Sequence, residues 1–103
     1  MRVALVTGGT AGIGAATAEA LLAAGYRVAV NYGSNQSAAA AFTARTGVAA
    51  FAWNVADADA CVAGVAQVEA ALGPIEVLVN NAGITRDAML HKMSVQQWRE
   101  VID

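Results

Sequence analysis

The apolar run Val3-Ala4-Leu5-Val6 breaks into the stretch Thr7-Gly8-Gly9-Thr10-Ala11-Gly12-Ile13-Gly14, and this junction restricts the fold more than any other feature of the chain. Consecutive apolar residues without polar alternation suit a strand covered on both faces, as in a parallel sheet. Beyond the glycines the period changes. Ile13, Ala16, Ala20, Leu21 and Ala24 fall at helical spacing, and Gly25 supplies a stop. A buried strand, a glycine turn and a helix in immediate succession form the opening of a βαβ unit.

The same alternation runs down the chain. Arg27 to Tyr32 reads as a second strand, closed by Gly33-Ser34-Asn35. Ser37 is placed to cap a helix carrying Ala38 to Arg45 and ending near Gly47. Val48 to Trp53 is a third apolar run. Asp57 can cap a long helix through Val62, Val65, Val68 and Leu72, stopped by Gly73-Pro74. Ile75 to Val79 is a fourth strand, passing into Asn80-Asn81-Ala82-Gly83, and Ser94-Val95-Gln96-Gln97 has the spacing of a capping box for a last helix. Strictly alternating strands and helices predict an α/β fold of Rossmann type, a parallel sheet with helices on both faces and right-handed crossovers. Its first four strands are expected in the spatial order 3-2-1-4. Residues 1–103 fit a single domain.

Composition narrows the partners. The net charge is −2 and the basic residues stand singly, with no stripe suited to nucleic acid. No apolar run is long enough for a signal-peptide core or a membrane span. The lone Cys61 cannot form an internal disulfide, which points to a reducing, cytoplasmic setting. It lies in an alanine-rich helical stretch without a nearby base, so it reads as a small core residue rather than a nucleophile.

The glycine turn can serve a dinucleotide pyrophosphate. Such a ligand needs a sharp turn, close backbone approach, and a helix start with free N–H groups and the positive end of its dipole. Gly8 can supply the turn, Gly12 the close approach and Gly14 tight helix–strand packing, with Thr10 and Ile13 beside them. An ordinary strand-to-helix connection is the other reading of these residues. A nucleotide-hydrolase phosphate loop is excluded, because no Gly-Lys-Ser/Thr follows. Asn80-Asn81-Ala82-Gly83 likewise reads as a strand-end turn, in which Gly83 admits close approach of a ligand.

The spacing Thr7-Gly8-x-x-x-Gly12-x-Gly14, followed at the fourth strand's end by Asn80-Asn81-Ala82-Gly83, resembles the short-chain dehydrogenase/reductase family along the whole chain. The extended, epimerase-like branch fits less well, since its glycine spacing differs and it lacks the Asn pair. The resemblance implies NADP(H) as cofactor, with Gly8, Thr10, Gly12, Ile13 and Gly14 at the pyrophosphate and Asn54 and Val55 at the adenine. Asn54 stands where the family often has Asp. Asn81, Ala82 and Gly83 would border the nicotinamide half. NAD enzymes of this fold carry an acid near the end of the second strand. No acid lies between Glu19 and Asp57, so Gly33, Ser34 and Asn35 are expected at a 2′-phosphate. No Arg takes the acid's place, however, and Ala11 stands where relatives often carry a basic residue.

Residues 80–103, with Ile84-Thr85-Arg86-Asp87, Lys92-Met93 and Trp98, are similar to the acetoacetyl-CoA reductase branch, with 3-oxoacyl-(acyl-carrier-protein) reductases next. The resemblance implies an acyl-CoA or other acyl thioester substrate, Asp87 and Lys92 at its pocket, and a homo-oligomeric enzyme; solvated loop charges are the alternative for these two residues. The family's catalytic Tyr-x-x-x-Lys, Ser and Asn are not found in the chain. The chain is therefore expected to be the cofactor-binding part of a reductase, truncated and inactive by itself. A half-Rossmann unit dimerising through its fourth strand and a non-catalytic cofactor-sensing module are the other readings.

Overall fold

A computed structural model of the chain describes residues 2–10 and 12–81. Seven elements follow one another as strand and helix in turn: β1 Val3–Thr7, α1 Gly12–Ala23, β2 Arg27–Tyr32, α2 Gln36–Thr46, β3 Ala49–Ala52, α3 Ala58–Leu72 and β4 Ile75–Asn80. The strands form one parallel sheet in the order β3-β2-β1-β4, as the alternation predicts. The chain steps from β1 to β2 to β3 in one direction and then crosses back over to β4. Successive strand ends therefore diverge at β1, the topological switch at which open α/β sheets bind ligands.

Two cores cover the sheet. On one face Val6, Val28, Val30 and Val48 meet Ala15, Ala18 and Phe42 of α1 and α2. On the other, Leu5, Ala29 and Ile75 meet Cys61, Val65 and Val68 of α3, with Trp53 beside them. β1 is buried along its whole length, which explains its unbroken apolar run.

The helix ends follow from local chemistry. Gly47 closes α2 in the left-handed conformation, with φ at 78°, and its N–H donates to the Thr43 carbonyl. The Asp57 carboxylate caps α3 by accepting from the Ala60 N–H at 3.1 Å. At α2 the sequence reading is corrected. Asn35, not Ser37, is the cap, its side-chain oxygen accepting from the Ala38 N–H at 3.0 Å. Both residue types cap well, and the earlier one takes the role because the helix starts two residues sooner.

The buried face of α1 also differs from expectation. Gly14, Ala15 and Ala18 face the sheet, whereas Ala16 and Ala20 are exposed and Ile13 is 78% exposed. Alanine populates every side of this helix, so apolar spacing cannot identify its inner face. In α3, Val62 turns outward while Cys61 and Gly64 turn in. The third apolar run is longer than its strand: Val48 and Trp53 flank β3 and are buried, and the Trp53 backbone N–H still donates to the Tyr32 carbonyl of β2 at 3.0 Å. Ala82, Gly83, Asp87, Lys92 and the helix expected to open at Ser94 lie outside the described residues.

Candidate functional site

The carboxyl ends of β1, β2, β3 and β4 carry the residues that the sequence singles out. At the end of β1 the chain turns through Gly8, with φ at 63°, and enters α1 through Gly12, with φ at 59°. Residues with a side chain rarely adopt that region, so both positions favour glycine. A Cβ on Gly12 would meet no atom within 4 Å. The backbone is open there, as a ligand's close approach requires.

Gly14 answers a different need. A Cβ at this position would run into the Gly8 carbonyl and come within 2.7 Å of the Asn81 side-chain nitrogen. The first turn of α1 is thereby drawn against both the glycine turn and the end of β4. Asn81 completes the arrangement by donating from Nδ2 to the Gly8 carbonyl at 3.3 Å. Beside it the Thr7 hydroxyl donates to Asn80 Oδ1 at 3.1 Å. The Asn pair thus ties β4 to the β1 turn.

The first turns of α1 and α2 contain no acidic residue, so the positive ends of both helix dipoles are unopposed by local carboxylates. Ile13 presents its side chain to solvent on the first turn of α1. Gly33 and Ser34 form the exposed turn between β2 and α2, where the Ser34 carbonyl accepts the Gln36 N–H at 3.0 Å. After β3, Asn54 Oδ1 accepts from the Ala56 N–H at 2.9 Å, which shapes the turn leading to Val55. Val55 packs on the core of the α3 face. Gly8, Thr10, Gly12, Ile13 and Gly14 therefore occupy one turn, Asn81 adjoins it, and Gly33-Ser34 and Asn54-Val55 follow the neighbouring strands.

Thr7, the leading residue of the glycine fingerprint, and Asn31, which sequence did not single out as a site residue, are buried polar residues of the sheet and register partners across β1 and β2. The sequence marks Asn31 only as a position near the end of β2 that carries no acid.

Cys61 is buried and its S–H donates to the Val55 carbonyl at 3.4 Å. Burial pushes its thiol up from the ordinary value, and the Asp57 carboxylate adds to that, against the neighbouring Trp53 indole, which lowers it. This is the environment of an inert core thiol, as the sequence indicates. Among the described residues no group of three His, Cys, Asp or Glu side chains could hold a metal ion, and no helix is long and apolar enough to cross a membrane.

The family model for short chain dehydrogenases matches residues 2–103. The chain belongs to this family. It is 67% identical over 102 residues to an acetoacetyl-CoA reductase of Paracoccus denitrificans, covering 99% of this chain and 42% of that protein. An acetoacetyl-CoA reductase of Shinella zoogloeoides is 62% identical over the same shares. A 3-oxoacyl-(acyl-carrier-protein) reductase of Staphylococcus aureus is 48% identical, covering 97% of this chain and 43% of its own length. The chain thus spans about two fifths of the length of the curated relatives it matches, 42% for the first of them. Among solved structures, a blue fluorescent protein from a metagenomic library in complex with NADPH superposes with a TM-score of 0.72 at 34% identity, over 97% of this chain and 43% of that one. BdcA in complex with NADPH gives 0.71 at 34% identity, over 81% and 32%.

Proposed function

We propose that this chain is the cofactor-binding part of an NADPH-dependent reductase that converts a 3-oxoacyl thioester, acetoacetyl-CoA foremost, to the 3-hydroxyacyl thioester. The observation that carries the reading is the gradient of identity, 67% to an acetoacetyl-CoA reductase against 48% to a carrier-protein reductase, over nearly the whole chain in both cases. The residues fit the cofactor. Gly12 leaves open space where a phosphate must approach, and the start of α1 has no acid to repel it. When bound, NADPH supplies hydride to the ketone carbon.

The chain's own residues bind and orient. The turn Gly8–Gly14 takes the pyrophosphate against the α1 N-terminus, with Thr10 at its rim and Ile13 offering an apolar surface alongside. Asn54 and Val55 wall the adenine. Gly33 and Ser34, in a turn without carboxylates, receive the 2′-phosphate through backbone and hydroxyl donors. Asn81 borders the nicotinamide half together with Ala82 and Gly83, and Asp87 and Lys92 belong to the acyl thioester side. A cytoplasmic homo-oligomer serving polyhydroxyalkanoate synthesis belongs to the same reading. The unpaired, buried Cys61 suits the reducing compartment.

The test is an assay of NADPH oxidation by the full-length protein with acetoacetyl-CoA and, separately, acetoacetyl-carrier protein. A higher kcat/KM with the CoA thioester is expected. Preference for the carrier-protein thioester would favour the carrier-protein branch, and no turnover with either would reject the assignment.

A further inference from the structure

The Asn31 side chain is 2% exposed and has both ends of its amide engaged. Its Oδ1 accepts from the Gly8 N–H at 3.3 Å, and its Nδ2 donates to the Trp53 carbonyl at 2.9 Å. Its backbone carbonyl accepts the Gly9 N–H at 3.1 Å. One residue of β2 thus fastens the first two residues of the glycine turn on one side and the residue immediately before Asn54-Val55 on the other.

The strand interior does not need this side chain, because β2 is paired on both sides, with β1 and β3, and ladder bonds serve its backbone. Burying an amide is unfavourable unless donor and acceptor both find partners. The chemistry is also selective. Leucine has no polar atoms, aspartate at neutral pH offers acceptors alone, and serine is too short to hold both partners at once, though its hydroxyl can keep one of them. The amide lies at the carboxyl edge of the sheet, where ligands bind in this class of fold.

We infer that Asn31 is a positioning residue for the dinucleotide: it fixes the spacing between the glycine turn and the Asn54-Val55 wall, so that one ligand meets both. This rests on the proposed reading of those two segments as the pyrophosphate and adenine sites. Asn31 itself touches no ligand. Its effect is to spare the cofactor the work of ordering Gly8 and Gly9 on binding.

The experiment uses the full-length protein and the variants Asn31→Ala and Asn31→Ser, held well below their unfolding temperatures. NADPH Kd, kcat at saturating NADPH, and amide hydrogen exchange at Gly8 and Gly9 are measured together. For N31A, Kd is expected to rise by about tenfold, equivalent to about 1.4 kcal/mol. The kcat at saturation should stay unchanged, and exchange at Gly8 and Gly9 should quicken in the free protein and slow again on NADPH binding. N31S should fall between N31A and wild type, and it decides the matter if N31A does not fold. A folded variant with wild-type Kd would overturn the positioning role while leaving the site reading intact. Failure of the wild-type protein to bind NADPH would overturn the site reading itself, and the role with it.

Discussion

Asn81 Nδ2 donates to the carbonyl of Gly8 at 3.3 Å across the β1–β4 boundary, joining residues that lie 73 positions apart in the chain. That bond, with the Thr7 hydroxyl on Asn80 Oδ1 at 3.1 Å, closes the far side of the glycine turn. Asn31 closes the near side through the Gly8 N–H. Gly8 is therefore held by its donor to β2 and by its acceptor to β4. A turn so fastened offers a ligand a preformed backbone surface instead of one that must be ordered on binding.

Replacing Gly14 by alanine tests that interlock. Alanine gains up to about 1 kcal/mol over glycine in a helix interior. Here its Cβ would meet the Gly8 carbonyl and the Asn81 amide, and the first of these is backbone that cannot step aside. Overpacking of this kind costs about 1–3 kcal/mol, so the clash outweighs the propensity gain. G14A should unfold at lower denaturant and bind NADPH more weakly. Equal stability with wild-type affinity would mean that α1 can move off the turn freely.

Gly64 makes the corresponding contact on the opposite face. A Cβ there would enter the Trp53 ring. Trp53 is buried beside Cys61 and Val65, with its indole N–H lacking a hydrogen-bond partner among the described residues. G64A should therefore lower stability by about 1–3 kcal/mol and alter the near-ultraviolet circular dichroism of the tryptophan. A more stable G64A would show that helix propensity prevails and that the ring relaxes at little expense.

Asp57 offers a contrast, because its work is local. Its carboxylate accepts the Ala60 N–H at 3.1 Å at the start of α3. Removing such a cap costs about 0.5–2 kcal/mol. D57A should shift the urea midpoint by a corresponding amount and leave NADPH affinity unchanged. A large loss of affinity would implicate the α3 N-terminus in the cofactor site.

The caps at Asp57 and Gly47 and the glycine turn were legible because each depends on neighbours in sequence, and strand order followed from the Rossmann topology that the strand–helix alternation indicates. A buried parallel strand looks apolar throughout, and β1 does as far as Thr7. The inner face of α1 was not legible, since alanine on all sides erases the periodicity that identifies a buried stripe. Asn35 displaced Ser37 as cap because two good capping residues stood two positions apart and only the path of the chain chooses between them. Asn31 was legible only as the absence of an acid near the end of β2. Its function lies in Gly8 and Trp53, partners 23 and 22 residues away that come together only in the folded sheet.

Cys61 should give stability a pH dependence on the alkaline side. Burial, with the Asp57 charge adding to it, raises the folded thiol's pKa above its unfolded value. The unfolded state then loses its proton first as pH rises. The contribution of the buried thiol is complete below the ordinary thiol range and declines as pH climbs through the folded pKa. The stability difference between wild type and C61A should be flat at neutral pH and shrink above the ordinary thiol range. Thiol-labelling reagents should react with the folded protein only as fast as it opens. Rapid labelling of the native protein would contradict the burial of Sγ.

Cofactor preference turns on the β2–α2 turn. Gly33 and Ser34 are exposed, the first turn of α2 has no acid, and the Asn35 side chain is already committed to the Ala38 N–H. A 2′-phosphate at this turn meets donors and the positive end of a short dipole, with no carboxylate to repel it. NAD enzymes of this fold reverse that balance with an acid that accepts from the ribose 2′-hydroxyl. Ser34→Asp should therefore weaken NADPH binding strongly and strengthen NADH binding modestly, since one charge repels the phosphate while one hydrogen bond is gained. Like-charge juxtaposition at a binding surface costs several kcal/mol, whereas a hydrogen bond to a charged group contributes about 1.5–3. The full-length protein should thus change from favouring NADPH to favouring NADH, by a ratio of Kd values of about a hundredfold or more. Because Ser34 is exposed and its hydroxyl has no hydrogen-bond partner among the described residues, the melting temperature without cofactor should stay close to wild type. Retained NADPH preference in a folded S34D would mean that the 2′-phosphate is received elsewhere than Gly33 and Ser34.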